Sequence, residues 1–234
     1  MRKIADLVGF TYFFGLLYMA VFAFPEGFRE MTSAHPYLMG FLKVSLLATF
    51  GEYLKRRLAT GHWSVDGPKI LILRFLGWGC FGLWFSMAFP MFSSGLESLV
   101  KTGLWPDGSP LWIAFSKSLC INVIGCFGWT MMLSHEWINM SIAAGKFAGL
   151  VEFGDSIDKS LWFGTVPRTI LLFWLPAHTI TFSLPGVWRI LMAASLSVVL
   201  GFLLTAGKQN IGSVNSAVSI ESVSFTGSND SDYK

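Results

Sequence analysis

Two apolar segments joined by a short turn occupy residues 173–205, and they constrain the fold of this chain more than any other feature. The turn is the sequence Ser-Leu-Pro-Gly-Val at 183–187, and the one charged residue in the whole stretch is Arg189. In a bilayer such runs are stable only when every backbone group is hydrogen-bonded, as it is within a helix. The stretch therefore predicts a hairpin of two membrane helices.

The second half of this hairpin has small residues at every fourth position, namely Ala193, Ser197 and Gly201. These three residues share one helix face, and small residues on one face let membrane helices approach closely. We expect this face to pack against the rest of a helical bundle.

The first half carries His178, and an ionisable group at hydrocarbon depth is costly unless it faces protein or water. His178 is therefore a candidate functional residue.

The composition indicates the class of protein. Of the 234 residues, 53% are hydrophobic and 13% are charged, whereas soluble domains are about 25% charged. These values predict an integral membrane protein of the all-α class, a polytopic helical bundle whose main partner is the lipid bilayer. The net charge of +3 is small, and no stripe of Lys and Arg alternates with exposed aromatic residues, which argues against a nucleic-acid partner.

The hydrophobic pattern predicts six transmembrane segments within residues 1–207, or five if residues 161–182 form a re-entrant segment. The six segments are residues 7–24, 36–57, 70–92, 111–133, 161–182 and 188–206. Residues 134–160 are typical of an amphipathic connector. Residues 208–234 are rich in Ser, Asn and Gly, and we expect a disordered tail there. A cleaved signal peptide is the alternative interpretation of the first segment.

Lys and Arg are distributed unevenly between the two sides of this topology. Ten of them fall on the side that holds both termini, and Arg29 and Lys101 fall on the other side. Short loops rich in Lys and Arg stay on the cytoplasmic side, so we expect both termini on that side or its organellar equivalent. The membrane is the plasma (inner) membrane if the protein is prokaryotic, and a mitochondrial or peroxisomal membrane if it is eukaryotic.

Polar residues recur on single faces of the predicted segments. Ser45, Thr49 and Glu52 follow helical spacing in the second segment. Asn122 and His178 lie deep in the fourth and fifth segments. Polar groups at that depth need partners on other helices or water. We interpret the five residues as a polar path through the bundle, and a set of satisfied helix–helix contacts is the alternative.

The sequence lacks the motifs of the common enzyme and cofactor sites. His135 and Glu136 begin like a zinc-protease motif, but Asn139 stands where the second histidine ligand would be. The histidines lie in different segments or loops, and the three cysteines fall in apolar runs without a C-x-x-C motif. We therefore expect no catalytic residues, no cofactor and no metal, and the protein is not predicted to be an enzyme.

A set of motif residues follows a fixed order between residues 34 and 205. It consists of His35, Pro36, Gly51, Glu52, Trp174, Pro176, Phe182, Pro185 and Arg189. The order His-Pro, Gly-Glu and then Trp, Pro, Phe, Pro and Arg ahead of the last helix resembles the Mpv-type family of peroxisomal and mitochondrial inner-membrane proteins. The resemblance implies a small multi-helix membrane protein, proposed in that family to form a channel or to pass small solutes. A prokaryotic relative fits it equally well.

Together these features predict a channel-like or small-solute-conducting helical bundle. The alternative is a non-conducting structural or partner-binding membrane subunit, whose polar faces close on each other or on a second protein. The conducted species would be a small solute or an ion, and a homo-oligomer fits both interpretations. A continuous cavity linking Glu52, Asn122 and His178 would favour conduction, whereas dense packing around Asn122 and His178 would favour the alternative.

Overall fold

The computed structural model describes residues 2–63, 66–196 and 198–199. This part of the chain is all-helical, as predicted, and contains no β-strand. The helices are α1 (Arg2–Tyr18), α2 (Pro25–Ala34), α3 (Pro36–Thr60), α4 (Pro68–Lys101), α5 (Pro110–Leu119), α6 (Phe127–Ala144), α7 (Leu150–Ser156), α8 (Val166–Thr169), α9 (Leu175–Ser183) and α10 (Gly186–Leu196). Single π-helical turns extend α1 at Met19–Ala23 and α5 at Cys120–Ile124, and two more flank α8 at Leu161–Thr165 and Ile170–Trp174.

Proline marks the start of several helices. Pro25, Pro36, Pro68 and Pro110 occupy the first turns of α2, α3, α4 and α5. The missing N–H costs little there, because it would have no partner within the helix. Helix α3 ends where Gly61 adopts a left-handed φ of 76°, a conformation that glycine tolerates without strain. Local sequence therefore sets these boundaries.

Two of the described helices are long and apolar enough to cross a bilayer. They are Ile4–Ala23 and Pro68–Lys101. The pair Pro110–Ile124 and Phe127–Ala144 would make a third span if it is counted as one, although it bends by 50° at the break. By length and composition, the described residues thus support membrane association through two or three spans, whereas the sequence predicts six.

Helix α4 is longer than the predicted third segment. It continues past position 92 to Lys101, although Pro90 and the Ser-Ser-Gly sequence at 93–95 favoured an earlier end. A proline removes only one bond of the helical ladder. The last turns are held against α5 by an ion pair of 2.5 Å between Lys117 and Glu97, and Leu96 is buried there. Tertiary contacts therefore outweigh the local stop signal.

The predicted fourth segment, residues 111–133, is broken in its middle. The π-helical turn Cys120–Ile124 is followed by Cys126 with a left-handed φ of 50°. Within this turn the side chain of Asn122 donates to the Ser118 carbonyl at 2.9 Å, which competes with the regular backbone bond to that carbonyl. After the break α6 continues to residue 144, so the first part of the predicted connector, 134–160, is helical as well.

Helices α3 and α4 cross with their backbones in contact. A Cβ added to Gly82 would lie 2.2 Å from the carbonyl oxygen of Gly40, and one added to Gly40 would lie 2.8 Å from the carbonyl oxygen of Gly82. Only glycine at both positions permits so close an approach. The crossing brings the C-terminal half of α3, with Glu52, opposite the first turns of α4, with Arg74.

Part of the predicted packing face lies outside the described residues. Ala193 is buried in α10, whereas Ser197 and Gly201 are not among the residues described. The predicted tail at 208–234 also lies outside them. Close packing of the face formed by the three residues therefore remains a prediction.

Candidate solute cavity

A cavity of about 350 Å³ lies between α3, α4, α6, α10 and the helical run of residues 161–183. Three of the five residues of the predicted polar path line it, namely Glu52, Asn122 and His178. Aromatic and thioether side chains form much of its wall: Trp78, Phe85, Phe127, Met131, Met132, Trp162 and Trp174. One cavity thus connects polar residues that come from three separate predicted segments.

Charged side chains are paired at one end of this cavity. Glu52 accepts hydrogen bonds from Arg74 and from the indole Nε1 of Trp78, the latter at 3.2 Å. Arg74 also donates to Asp66, from Nε to Oδ2 at 2.9 Å, and to Asn139 Oδ1 at 3.3 Å. Burying a charge is costly unless it is paired. The pairing therefore offsets the cost of placing Glu52 and Arg74 inside the bundle.

Asp66 lies in the connection between α3 and α4 and accepts bonds from several donors. Arg56 Nη1 lies 2.9 Å from each of its carboxylate oxygens, and Tyr53 OH donates at 3.2 Å. Burial on its own would raise the pKa of Asp66, but the hydrogen bonds from Arg56 and Arg74 outweigh it and hold the pKa below its usual value. The fold therefore favours the carboxylate form of Asp66.

Asp66→Asn is expected to lower the melting temperature at neutral pH and to lose this effect in acid. Because the pKa of Asp66 is lower in the folded than in the unfolded chain, its stabilisation is complete above about pH 4 and disappears as the pH falls through the folded-state value. A decrease of roughly 1 kcal/mol in the free energy of unfolding would lower the Tm by about 2–4 °C. Melting curves in detergent, near neutral pH and in acid, measure the difference.

Asp155→Asn is the control for this prediction. Asp155 is exposed on α7, so its variant is expected to melt like the wild type under both conditions. If Asp66→Asn lost the same number of degrees in acid as at neutral pH, the carboxylate of Asp66 would not be the stabilising group.

His178 and Asn122 form a polar pair deep in the cavity. His178 Nδ1 lies 2.9 Å from Asn122 Nδ2 and 3.1 Å from Oδ1, and the two residues are 6% and 2% exposed. Ser118 Oγ, one turn before Asn122, donates to the Leu175 carbonyl at 2.7 Å. These bonds tie α5 to α9 and fix the imidazole through Nδ1. The other ring nitrogen, Nε2, has no hydrogen-bond partner among the described residues.

Aromatic rings separate this pair from a second group of charges. Phe89 packs edge-on against His178, with ring centroids 5.7 Å apart, and against Phe182 at 5.5 Å. The guanidinium of Arg189 lies over the Phe182 ring, 5.3 Å from its centroid, and Arg189 donates to Ser93 at 3.4 Å. A layer of two phenylalanines, Phe89 and Phe182, therefore lies between the polar pair and the Arg189 end of the bundle.

Ser45 and Thr49 lie away from this cavity. They line a separate groove of about 680 Å³ between α1, α3 and α4. Ser45 Oγ donates to the Phe75 carbonyl at 2.9 Å, and Thr49 Oγ1 is buried and has no hydrogen-bond partner within residues 2–63, 66–196 and 198–199. The helix face that carries Ser45, Thr49 and Glu52 lies along the boundary between the cavity and the groove. Glu52 has the longest of the three side chains and reaches the cavity. The structure thus divides the predicted path in two.

Some cavity residues were missed by the sequence interpretation. The ring of His135 lies 4.4 Å from that of Trp78, and its Nδ1 lies 3.3 Å from Asn139 Nδ2. His135 and Asn139 both line the cavity. Their i, i+4 spacing places them on one helix face, and this spacing is the signal that could have found them.

The motif residues that resemble the Mpv-type family fall into distinct places. Gly51, Glu52 and Trp174 line the cavity. Phe182 and Arg189 belong to the aromatic layer and to the charges beyond it. The remaining motif residues lie at helix boundaries: His35, Pro36, Pro176 and Pro185.

No family model, no curated protein and no solved structure matches this chain. The likeness to the Mpv-type family therefore depends on the motif residues alone. A function has to be supported by the cavity and its lining.

Proposed function

We propose that this protein is an integral membrane bundle that passes a small solute through the cavity between α3, α4 and α6. The observation that carries the proposal is that Glu52, Asn122 and His178 line one cavity. Polar groups within membrane segments that face a shared cavity are typical of solute and ion pathways. Asn122 and His178 also contact each other, as they would in a purely structural subunit, but the cavity that they share with Glu52 favours a solute pathway.

The order of the side chains along α4 supports a solute path that is closed at the level of the aromatic layer. From the charged end, Arg74 and Trp78 contact Glu52, and Phe89 then packs in the aromatic layer. Glu97 follows near the end of the helix, paired with α5. From Arg74 to Glu97 the helix rises about 35 Å, close to the roughly 30 Å of a hydrocarbon core. Hydrophobic constrictions are a known type of gate, and Phe89 and Phe182 would act as one here.

We also propose that α3 and the helical run of residues 161–183 cross the membrane. The six-segment topology, with both termini on the basic side, then needs only the predicted segment 188–206, which lies partly outside the described residues. Helix α3 has 25 residues, enough to span a bilayer, but its charges lower its hydropathy. Two of those charges are bonded inside the protein: Glu52 pairs with Arg74, and Lys43 Nζ donates to Thr32 Oγ1 at 2.8 Å. Such a helix can still present an apolar face to lipid.

Flux into proteoliposomes tests the proposed function. The purified full-length chain is expected to accelerate entry of small neutral solutes above the rate of empty vesicles, measured for glycerol and urea by stopped-flow light scattering. Entrapped fluorescent reporters for K⁺ and Cl⁻ cover the case of an ion. No flux of any of these probes, in either direction and at several pH values, would contradict the proposal and favour the non-conducting subunit.

A further inference from the structure

We propose that the cavity binds a small uncharged ring compound that carries a hydrogen-bond acceptor, such as an amide or ketone oxygen. This inference rests on the proposed function, because it names the class of solute that the cavity selects. Three properties of the cavity carry it: the position of its charges, its unbonded ring nitrogens, and its size and lining.

The charges of the cavity are gathered at one end. Its lining contains the charged residues Glu52, Lys55 and Glu136, and they lie toward the end that Arg74 closes. The rest of the described lining carries no Asp, Glu, Lys or Arg. An ion moved to the Asn122–His178 end would lose its hydration without gaining a counter-charge, which is costly. That end therefore favours an uncharged ligand.

Within the described part of the chain, four ring nitrogens of the lining make no hydrogen bond. They are Nε2 of His135 and His178 and the indole Nε1 of Trp162 and Trp174. In that part, Thr49 Oγ1 is the one side-chain polar atom that is both fully buried and unpaired. The four nitrogens therefore keep some accessible surface, and their residues line the cavity. Because an indole N–H can only donate, an acceptor oxygen on the ligand completes the site.

The size and lining of the cavity set the shape of the ligand. A cavity of about 150 Å³ holds one benzene molecule, and this one measures about 350 Å³. It therefore accommodates a single ring with one or two polar substituents. Phe85 and Phe127 offer ring faces and edges, and Met131 and Met132 offer thioethers, both of which make favourable contacts with aromatic rings.

Three probes of nearly the same shape and different charge test the inference. Benzamide is neutral and has an acceptor oxygen, benzoate is an anion, and benzamidinium is a cation. Saturation-transfer NMR titrations with the purified full-length chain in detergent micelles, corrected for empty micelles, give their affinities. Benzamide is expected to bind saturably, and the two ions are expected to bind at least about 10-fold more weakly because the deep end cannot replace their hydration.

Two variants test whether benzamide is bound by the unbonded ring nitrogens and by the Asn122–His178 pair. Trp174→Phe keeps a ring but removes the N–H, and Asn122→Leu removes the amide at similar volume. Each is expected to raise the Kd for benzamide about 10-fold, because a polar group of ligand or site is left unpaired. Trp112→Phe is the matched control: Trp112 is partly exposed and its Nε1 donates to the Pro106 carbonyl outside the cavity, so the Kd should not change.

The possible results separate this inference from the proposed function. Absence of benzamide binding, equal affinity for the three probes, or an unchanged Kd in Trp174→Phe would overturn the inference. If Asn122→Leu does not fold, Trp174→Phe decides alone. Selective benzamide binding without flux of benzamide, or of the other probes, into liposomes would leave the inference in place and remove the proposed function. Flux of ions without benzamide binding would do the reverse.

Discussion

Replacing Gly82 with leucine is expected to prevent the chain from folding. A Cβ at this position would lie 2.2 Å from the oxygen and 2.7 Å from the carbon of the Gly40 carbonyl, so the new side chain meets backbone that cannot rotate away. Overpacking that side chains can absorb costs about 1–3 kcal/mol. Here two helices have to separate, and the cost approaches the total stability of a typical domain, about 5–15 kcal/mol.

Size-exclusion chromatography of the detergent-solubilised protein measures this effect as loss of the monodisperse peak. Gly95→Leu is the matched control, because Gly95 belongs to the same helix and, apart from its own stretch of helix, no atom of the described residues lies within 4 Å of the place of its Cβ. Leucine favours the helix over glycine by roughly 1 kcal/mol. The variant should therefore elute like the wild type and melt at the same or a higher temperature. If the two variants behave alike, the close contact between α3 and α4 is not required for folding.

Replacing Thr169 with tryptophan is expected to reduce solute flux at least about 10-fold, because a large side chain narrows the pathway. Thr169 lines the cavity and is half-buried. Its hydroxyl donates to the Thr165 carbonyl within the same helical run, at 2.9 Å, so the substitution breaks no bond between helices. The fold should therefore survive while the free volume shrinks.

Stopped-flow measurements on proteoliposomes with equal protein content compare Thr169→Trp with the wild type. Leu172→Trp is the control, since Leu172 lies in the same helical run and is 79% exposed. It adds the same indole to the outer surface and should leave the flux unchanged. Wild-type flux in Thr169→Trp, with the protein folded, would mean that solute does not pass through this cavity.

The helical class and the helix starts could be predicted from the sequence, because they depend on local properties. Composition indicates a membrane protein, and prolines such as Pro36 and Pro110 open helices in the structure. The end of α4 could not be predicted, since it depends on an ion pair between Glu97 and Lys117, residues 20 positions apart. The break after α5 depends on the side-chain bond of Asn122 to its own helix.

The sequence could predict which polar residues lie at hydrocarbon depth. It could not predict which way each helix is turned about its axis. Periodicity identifies Glu52, Asn122 and His178 as polar residues within apolar segments, and all three line the cavity. It does not say how a helix is turned about its axis. A rotation of a few tens of degrees decides whether Ser45 faces the cavity or the groove. Trp162, at the start of the predicted fifth segment, lines the cavity for the same reason.

The guanidinium of Arg74 contacts one carboxylate on α3 and another in the connection that follows α3, Glu52 and Asp66. One cation shared in this way makes the two anions interdependent, and such coupling is reciprocal by thermodynamic necessity. A solute that displaces Glu52 from Arg74 changes how firmly the connection is held. Conversely, anything that moves the connection alters the electrostatic environment at the charged end of the cavity.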